Sequence, residues 1–521
     1  GILATSTMSV GGGVIGISQN NAAWSDFPAT TYADGYAPTL GRVYDPAHAD
    51  ASLGSWNIWW GGATNPTVPL DPLITADTLG GHTVAATAQL YGISAGGTAV
   101  DISSLGFSSI NYVRVTNPTL AGDGIVPQVD AVARVLPTEW AGASSGNYGD
   151  KLKWTSQVVP DVRTPAAYFR NTISVPATVT IDLPVNIALL KFDSVQGYTL
   201  VGASRITLAP QYSGATPVAP GITVLSGSQV IQAPVVLGGN TTVNVAASSR
   251  LTLSGGISGS GKMIVQSGGL VVSGSNTYAG GTEVDGGVVT FSTAAGRPTG
   301  DVLTLGKSGT PAQGGMVVVG ADGVHLDTYR SALAASFTKV GGNWVWSNGG
   351  SIRTNLGTWG AKEGIGYMTG AQYMMLHPTV TGIAAGDVVL KYTYLGDTTL
   401  KGYITASDFA QMDAAWLKVQ GGAPNAGFHW INGDFNYDGQ ITPDDFAILD
   451  AAYAQQLGGL ANDPFYAGNL AAFGPAYAQA VAGQLAGGGA VPEPASLGLL
   501  AGGVAGMLGR KRRRAARMNG K

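Results

Sequence analysis

The sequence predicts a mainly β, multidomain chain, on three observations. Its 521 residues include 79 glycines and 26 prolines but no cysteine, so tight turns are plentiful and no disulfide framework is possible. Charged residues make up 11% of the chain, against about 25% in an average soluble domain. Period-two alternation of apolar and polar residues recurs in segments too short for helices and suited to strands with one buried face. Six segments follow in order: a β-sandwich (1–137), a parallel β-solenoid rod (138–300), a cap or connector (301–395), a small α-helical domain (396–456), a linker (457–490) and an apolar C-terminal helix (491–521).

In the first segment the alternation is clearest over residues 100–102, 110–115 and 129–135. One buried and one wet face is the pattern of an antiparallel sandwich. Trp56, Trp59 and Trp60 are read as core, with a carbohydrate-stacking platform as the alternative.

From Trp140 to Gly300 short apolar pairs recur between glycine or asparagine corners: Val243 with Val245, Leu251 with Leu253, Met263 with Val265, Leu270 with Val272, Val289 with Phe291. No stretch carries a helical period long enough for crossover helices. Successive short strands with small polar corners predict stacked coils, each burying its apolar face on its neighbours. The glycine-rich run 253–261 and the segment 269–284, GLVVSGSNTYAGGTEV, resemble the autotransporter-associated β-strand repeat. Trp140, Trp154 and Pro160 look like the opening of such a solenoid. The resemblance implies a structural rod and names no ligand.

Catalysis is not expected in the rod. Glu283 and Asp285 stand two apart on one strand face and could pair as acid and base, but no dense set of Asp, His, Lys and Arg surrounds them. Charges that discourage strand pairing at an edge explain them more simply. The five histidines are scattered, and no G-x-S-x-G, H-E-x-x-H or phosphate-cradling loop occurs. Beyond residue 300 the pattern predicts a short helix over 326–337 and a strand over 388–394, together capping the solenoid.

Explicit chemistry appears in the helical domain. Residues 433–445 read GDFNYDGQITPDD. Calcium takes six to eight hard oxygens, which must recur along a tight loop. Asp434, Asn436 and Asp438 take positions one, three and five, and Gly439 permits the turn at six. Gln440 offers its carbonyl at seven, Thr442 stands at nine and acts through water, and Asp445 closes the loop at twelve. Ile441 supplies the apolar eighth residue that couples paired loops, and a helix is expected over 444–455. A degenerate copy lies 37 residues earlier, with Asp397, Thr399, Tyr403, Thr405 and Asp408 at positions one, three, seven, nine and twelve. Its fifth position is Lys401, a cation where an oxygen belongs. The second loop is therefore expected to bind Ca²⁺ well and the first weakly or not at all. Two EF-hand-like loops, each followed by a helix, resemble a type I dockerin over 396–456. That resemblance implies a cohesin-like partner.

The C-terminus joins Pro492, Glu493 and Pro494 to an apolar run over 495–509 and then to Arg510, Lys511, Arg512, Arg513 and Arg514. Apolar residues ending against guanidinium groups make a membrane-stop signal. Fifteen residues of helix span roughly 22 Å, short of the ~30 Å hydrocarbon core, which suits transient tethering better than a permanent anchor. This order of elements resembles the PEP-CTERM sorting signal, which implies an exported protein handled by a membrane protease of the exosortase kind. Residues 101–135 likewise look like the closing strands of a sandwich found in other PEP-CTERM proteins. The formal net charge is −4, but seven basic groups lie in the last twelve residues, leaving 20 basic against 31 acidic groups elsewhere. Such a body argues against nucleic-acid binding. The expected whole is a non-enzymatic cell-surface structural and interaction protein with a calcium-dependent docking module. The alternative is a secreted accessory protein of polysaccharide binding or degradation, recruited through the dockerin-like domain to act on a glycan.

Overall fold

The computed structural model describes residues 14–27, 42–44, 60–63, 84–91, 111–116, 138–142, 144–161, 165–213, 216–306, 311–347, 349–355, 362–460 and 463–486. The chain divides into two units. The first is Gly1–Met263 with Asn276–Tyr278; the second is Ile264–Ser275 with Ala279–Lys521.

The first unit opens with an antiparallel sheet in which Val14–Ser18 lies between Ser25–Phe27 and Tyr112–Thr116. A second antiparallel pair joins Arg42–Tyr44 to Trp60–Ala63. The alternation over 110–115 thus becomes a strand. Residues 100–102 and 129–135, with Trp56 and Trp59, lie outside the described residues. A helix, α1 (Val84–Tyr91), stands where only strands were expected.

The solenoid begins with an aromatic plug. Trp140 and Trp154 are buried edge to face at 5.2 Å, and Trp154 Nε1 donates to the Tyr148 carbonyl at 2.8 Å. Four coils then stack in parallel register. One ladder runs Ala166–Arg170, Leu189–Asp193, Gly221–Ser226, Thr241–Val245; a second runs Ala177–Thr180, Tyr198–Val201, Ser228–Ile231, Arg250–Leu253; a third runs Val185–Ile187, Ile206–Leu208, Val235–Leu237, Ile257–Gly259. In-register stacking puts equivalent side chains above one another, so the core consists of columns. Phe169, Phe192, Val224 and Val245 form one of them, and the two phenyl rings stack at 5.0 Å. All ten members of the apolar pairs read from the sequence are buried. A hairpin, Gln211–Ser213 with Thr216–Val218, is inserted where the second coil turns into the third.

An inward position of the second ladder carries a long polar side chain. Gln229 is in register with Leu251 and fully buried. Its Oε1 accepts the Tyr198 N–H at 2.7 Å, and its Nε2 donates to the carbonyls of Ser194 and Ser226 at 2.9 and 3.0 Å. The amide thus satisfies backbone groups that the corner at Gly227, with φ of +73°, leaves unpaired. Replacing it by methionine of similar volume strands three buried groups and is expected to cost about 2–4 kcal/mol in denaturant unfolding. A loss below ~1 kcal/mol would refute this role.

In the second unit the parallel ladders continue past the expected end at 300. Gly269–Val272, Val288–Phe291 and Met316–Val319 form one, and Thr282–Val284, Leu303–Leu305 and Ile352–Thr354 form another. Glu283 therefore lies within a ladder, beside Thr304, rather than at an edge. Asp285 accepts Asn355 Nδ2 at 3.1 Å. Strand direction then reverses. Val388–Tyr394 pairs antiparallel with Met316–Val319, and Glu363–Thr369 pairs antiparallel with Val388–Tyr394 and ends the sheet. Helix α2 (Leu326–Ala334), the hairpin Phe337–Val340/Asn343–Trp346 and helix α3 (Gly370–Leu376) surround this end.

Helices α4 (Ala406–Gln420) and α5 (Pro443–Leu457) follow the two loops, as expected. The stretch expected to be a linker, 457–490, instead holds two helices, α6 (Pro464–Phe473) and α7 (Pro475–Ala486). They pack onto the loop domain: Phe465 stacks on Phe409 at 4.3 Å, and Phe473 meets Phe446 at 5.0 Å and Trp416 at 5.8 Å. Both start with proline at the first helical position, where a missing N–H costs nothing, and the Asp463 carboxylate caps α6 by accepting the Tyr466 N–H.

Candidate metal centre

Each loop leads into its helix through a threonine and an aspartate three residues on. In loop one the Thr405 hydroxyl and N–H both donate to Asp408 Oδ2 at 2.8 Å. In loop two Thr442 does the same to Asp445 Oδ2 at 3.0 Å. The carboxylates at position twelve are thus also helix-start acids, satisfying donors that the first turn leaves free. Thr442, expected to act through water, bonds directly to Asp445, and Thr405 bonds to Asp408 in the same way.

The loops differ in what fills them. In loop one Asp397 Oδ1 accepts the N–H groups of Thr399 and Lys401 and the Thr399 hydroxyl, while Oδ2 accepts the Gly402 N–H and the Thr393 hydroxyl. Asp408 Oδ1 takes the hydroxyls of Thr398 and Thr399. Every carboxylate oxygen of loop one therefore has a partner, and threonine hydroxyls supply many of them. Burial, with Asp408 nearby, raises the Asp397 pKa. Tyr403 is half-exposed.

In loop two Asp434 Oδ2 accepts the Gly439 N–H at 3.0 Å, but Oδ1 is buried with no hydrogen-bond partner. Asp445 Oδ1 accepts the N–H groups of Phe435 and Asn436. Asn436 Oδ1 accepts the Asp438 N–H, Asn436 Nδ2 donates to Asp438 Oδ2, and Asp438 Oδ1 accepts the Gln440 N–H. Asp434 and Asp445 are fully buried, while Asp438 and Gln440 are exposed at the mouth. Burial, reinforced by the Asp445 and Asp438 charges, pushes Asp434 up to about 8; burial pushes Asp445 up to about 7, with the Asp438 charge adding to it. Carboxylates held so far above their ordinary range are short of positive charge. The Arg330 guanidinium abuts Gly439, but it donates to the Phe428 carbonyl and pairs with Asp327, and Asp434 Oδ1 stays unpartnered.

Among the described residues no three acidic or histidine side chains close on one point as a ready-made ion cage. Acids without a cation between them repel, and this loop's donor set also includes the Asn436 amide and the Gln440 carbonyl. Hard oxygens with one buried carboxylate oxygen unsatisfied fit a calcium ion. Asp450 Oδ1 is likewise unpartnered, but its neighbours are the Tyr477 hydroxyl and the Asn469 amide, both donating to Oδ2, so it ties α6 and α7 to α5.

Sequence spacing missed two side chains. The Asn425 amide brackets Ile441, accepting its N–H at 2.8 Å and donating to its carbonyl at 3.0 Å. The Gln456 amide brackets Ile404 in the same way, at 2.7 and 2.8 Å. Ile441, expected to couple the loops directly, and Ile404 at the equivalent position thus give their backbone groups to amides at the helix ends, Asn425 beyond α4 and Gln456 in the last turn of α5. Residues 445–452 of α5 are all buried, so this helix presents no open face to a partner. The exposed large apolar residue of α4 is Leu417, at 68%.

A family model described as the PEP-CTERM protein-sorting motif matches residues 490–514, which lie outside the described residues and include Pro492, Glu493, Pro494 and Arg510 to Arg514. The motif marks proteins exported to the cell surface, tethered transiently in the membrane by the tail and recognised by an exosortase. Among the described residues no helix is long and apolar enough to cross a membrane. No curated protein and no solved structure matches the chain.

Proposed function

We propose that this exported surface protein is a non-catalytic scaffold: a β-solenoid closed by a helical domain that folds around one Ca²⁺ ion in loop two. The observation that carries this reading is the unpartnered, buried Asp434 Oδ1, set against loop one, where hydroxyls already satisfy every carboxylate oxygen. Asp434, Asn436, Asp438, the Gln440 carbonyl and Asp445 would hold the ion, whose charge offsets the crowded acids. Loop one is a structural copy without metal. Lys401 replaces its fifth ligand, and Thr398 and Thr399 close the space from within. The enclosure of α5 favours a stabilising role over docking to a cohesin-like partner.

Isothermal titration of the full chain tests this. One ion per chain is expected for the natural sequence and none for Asp434→Ala. Lys401→Asp is expected to stay at one, because the threonine hydroxyls remain. Two ions in the natural chain, or unchanged binding in Asp434→Ala, would refute the assignment.

A further inference from the structure

Among the described residues, the last strand of the second unit's sheet, Glu363–Thr369, has an edge that no other strand covers. An edge of this kind is a template for pairing with another chain. The hydrogen bonds Leu395 N–H to Lys362 C=O and Gly370 N–H to Asp387 C=O set the ladder's phase. The even-numbered residues bond to Val388–Tyr394, so the backbone groups of Glu363, Ile365, Tyr367 and Thr369 point away from it. Three of these outward groups are taken by side chains. The Glu363 carbonyl accepts Trp346 Nε1 at 3.0 Å, the Ile365 carbonyl accepts the Tyr437 hydroxyl at 2.9 Å, and the Thr369 N–H donates to Gln372 Oε1 at 2.9 Å.

Tyr437 is the fourth residue of loop two. It lies between Asn436 and Asp438 in a left-handed conformation, φ +64°, and points into the protein, fully buried. Its ring stacks on Trp430 at 5.8 Å and meets Phe337, Trp346 and Tyr367 at 5.7, 6.0 and 6.2 Å. The loop domain lies directly on the strand: a Cβ at Gly366 would come within 2.1 Å of Leu400 Cδ2 and 2.6 Å of Trp430 Nε1. The residues that would ligate the ion and the residue that satisfies the sheet edge therefore belong to one short, strained turn.

We infer that calcium binding at loop two closes the outer edge of this sheet, the ion fixing the turn that seats Tyr437 on Ile365. This rests on the calcium reading above and adds to it a consequence: metal loss opens the strand Glu363–Thr369 to a second copy of the chain.

Hydrogen exchange of the full chain, read by mass spectrometry in millimolar Ca²⁺ and in EGTA alongside a calcium titration, tests it. Amides of 363–369 are expected to exchange about tenfold faster or more in EGTA, while those of the inner strand Met316–Val319 keep their rate. Asp434→Asn should exchange at the fast rate in both buffers. Particle size should grow with concentration in EGTA and not in Ca²⁺. Binding heat in the natural chain without any change in exchange at 363–369 would overturn the inference and leave the calcium site standing. Absence of binding heat would overturn the calcium site and the inference together.

Discussion

Saturating calcium is expected to raise the melting transition of the loop domain by about 10–20 °C over EDTA at pH 8, since an ion at a hundred times its Kd adds about 2.7 kcal/mol. The size of the shift should depend on pH, and its sign follows from two carboxyl groups. In the metal-free fold Asp434 and Asp445 are pushed up to about 8 and about 7, so between pH ~4 and ~8 the folded chain holds protons that the unfolded chain has released. Folded-state pKa values raised in this way stabilise the fold at low pH, and the contribution is lost as pH climbs through them. In EDTA the transition should therefore fall from pH 5 to pH 8. Calcium takes the place of those protons, so its stabilising effect should widen over the same range. Asp434→Asn removes one charge without changing shape. It should flatten the pH dependence in EDTA and abolish the calcium response. Identical melting in calcium and EDTA at pH 8 would end the proposal.

Phe169→Ala is expected to cost about 3–5 kcal/mol, the upper range for a buried aromatic truncation. The ring is fully buried where the aromatic plug meets the first coils, and it touches Trp140, Trp154, Phe192 and Tyr198 at centroid distances of 6.2, 5.7, 5.0 and 5.2 Å. Neighbouring coils stabilise one another, so a void at this junction should loosen the plug and lower the denaturant midpoint of the first unit. Thr178→Ala, on the exposed face of the same coil, should change stability by less than ~0.5 kcal/mol. Equal effects from the two substitutions would show that the column is not the core.

Local patterns were legible wherever the physics is local. The pairs Val243/Val245 and Leu251/Leu253 marked strands because a strand alternates its faces every residue, and both pairs are buried. The strand over 388–394 is present as Val388–Tyr394, and the helix expected over 444–455 is Pro443–Leu457. The helices in the stretch read as a linker were missed because their alanine-rich faces carry no clear apolar stripe. Their starts were nonetheless marked by Asp463 with Pro464 and by Gly474 with Pro475.

From the sequence alone came the coil-forming alternation, the oxygen spacing of 434–445, the lysine at the fifth position of the earlier loop and the sorting tail, because each is a property of neighbours along the chain. The fold decided the rest. Gln229 matters only because folding brings it against backbone groups of Ser194, Tyr198 and Ser226, and Asn425 and Gln456 matter only because folding brings them against Ile441 and Ile404. The enclosure of α5 and the seat of Tyr437 on Ile365, 72 residues away, depend likewise on contacts between distant segments. Such contacts leave no periodicity in the sequence, since a buried donor needs one partner at ~3 Å and any stretch of chain can deliver it.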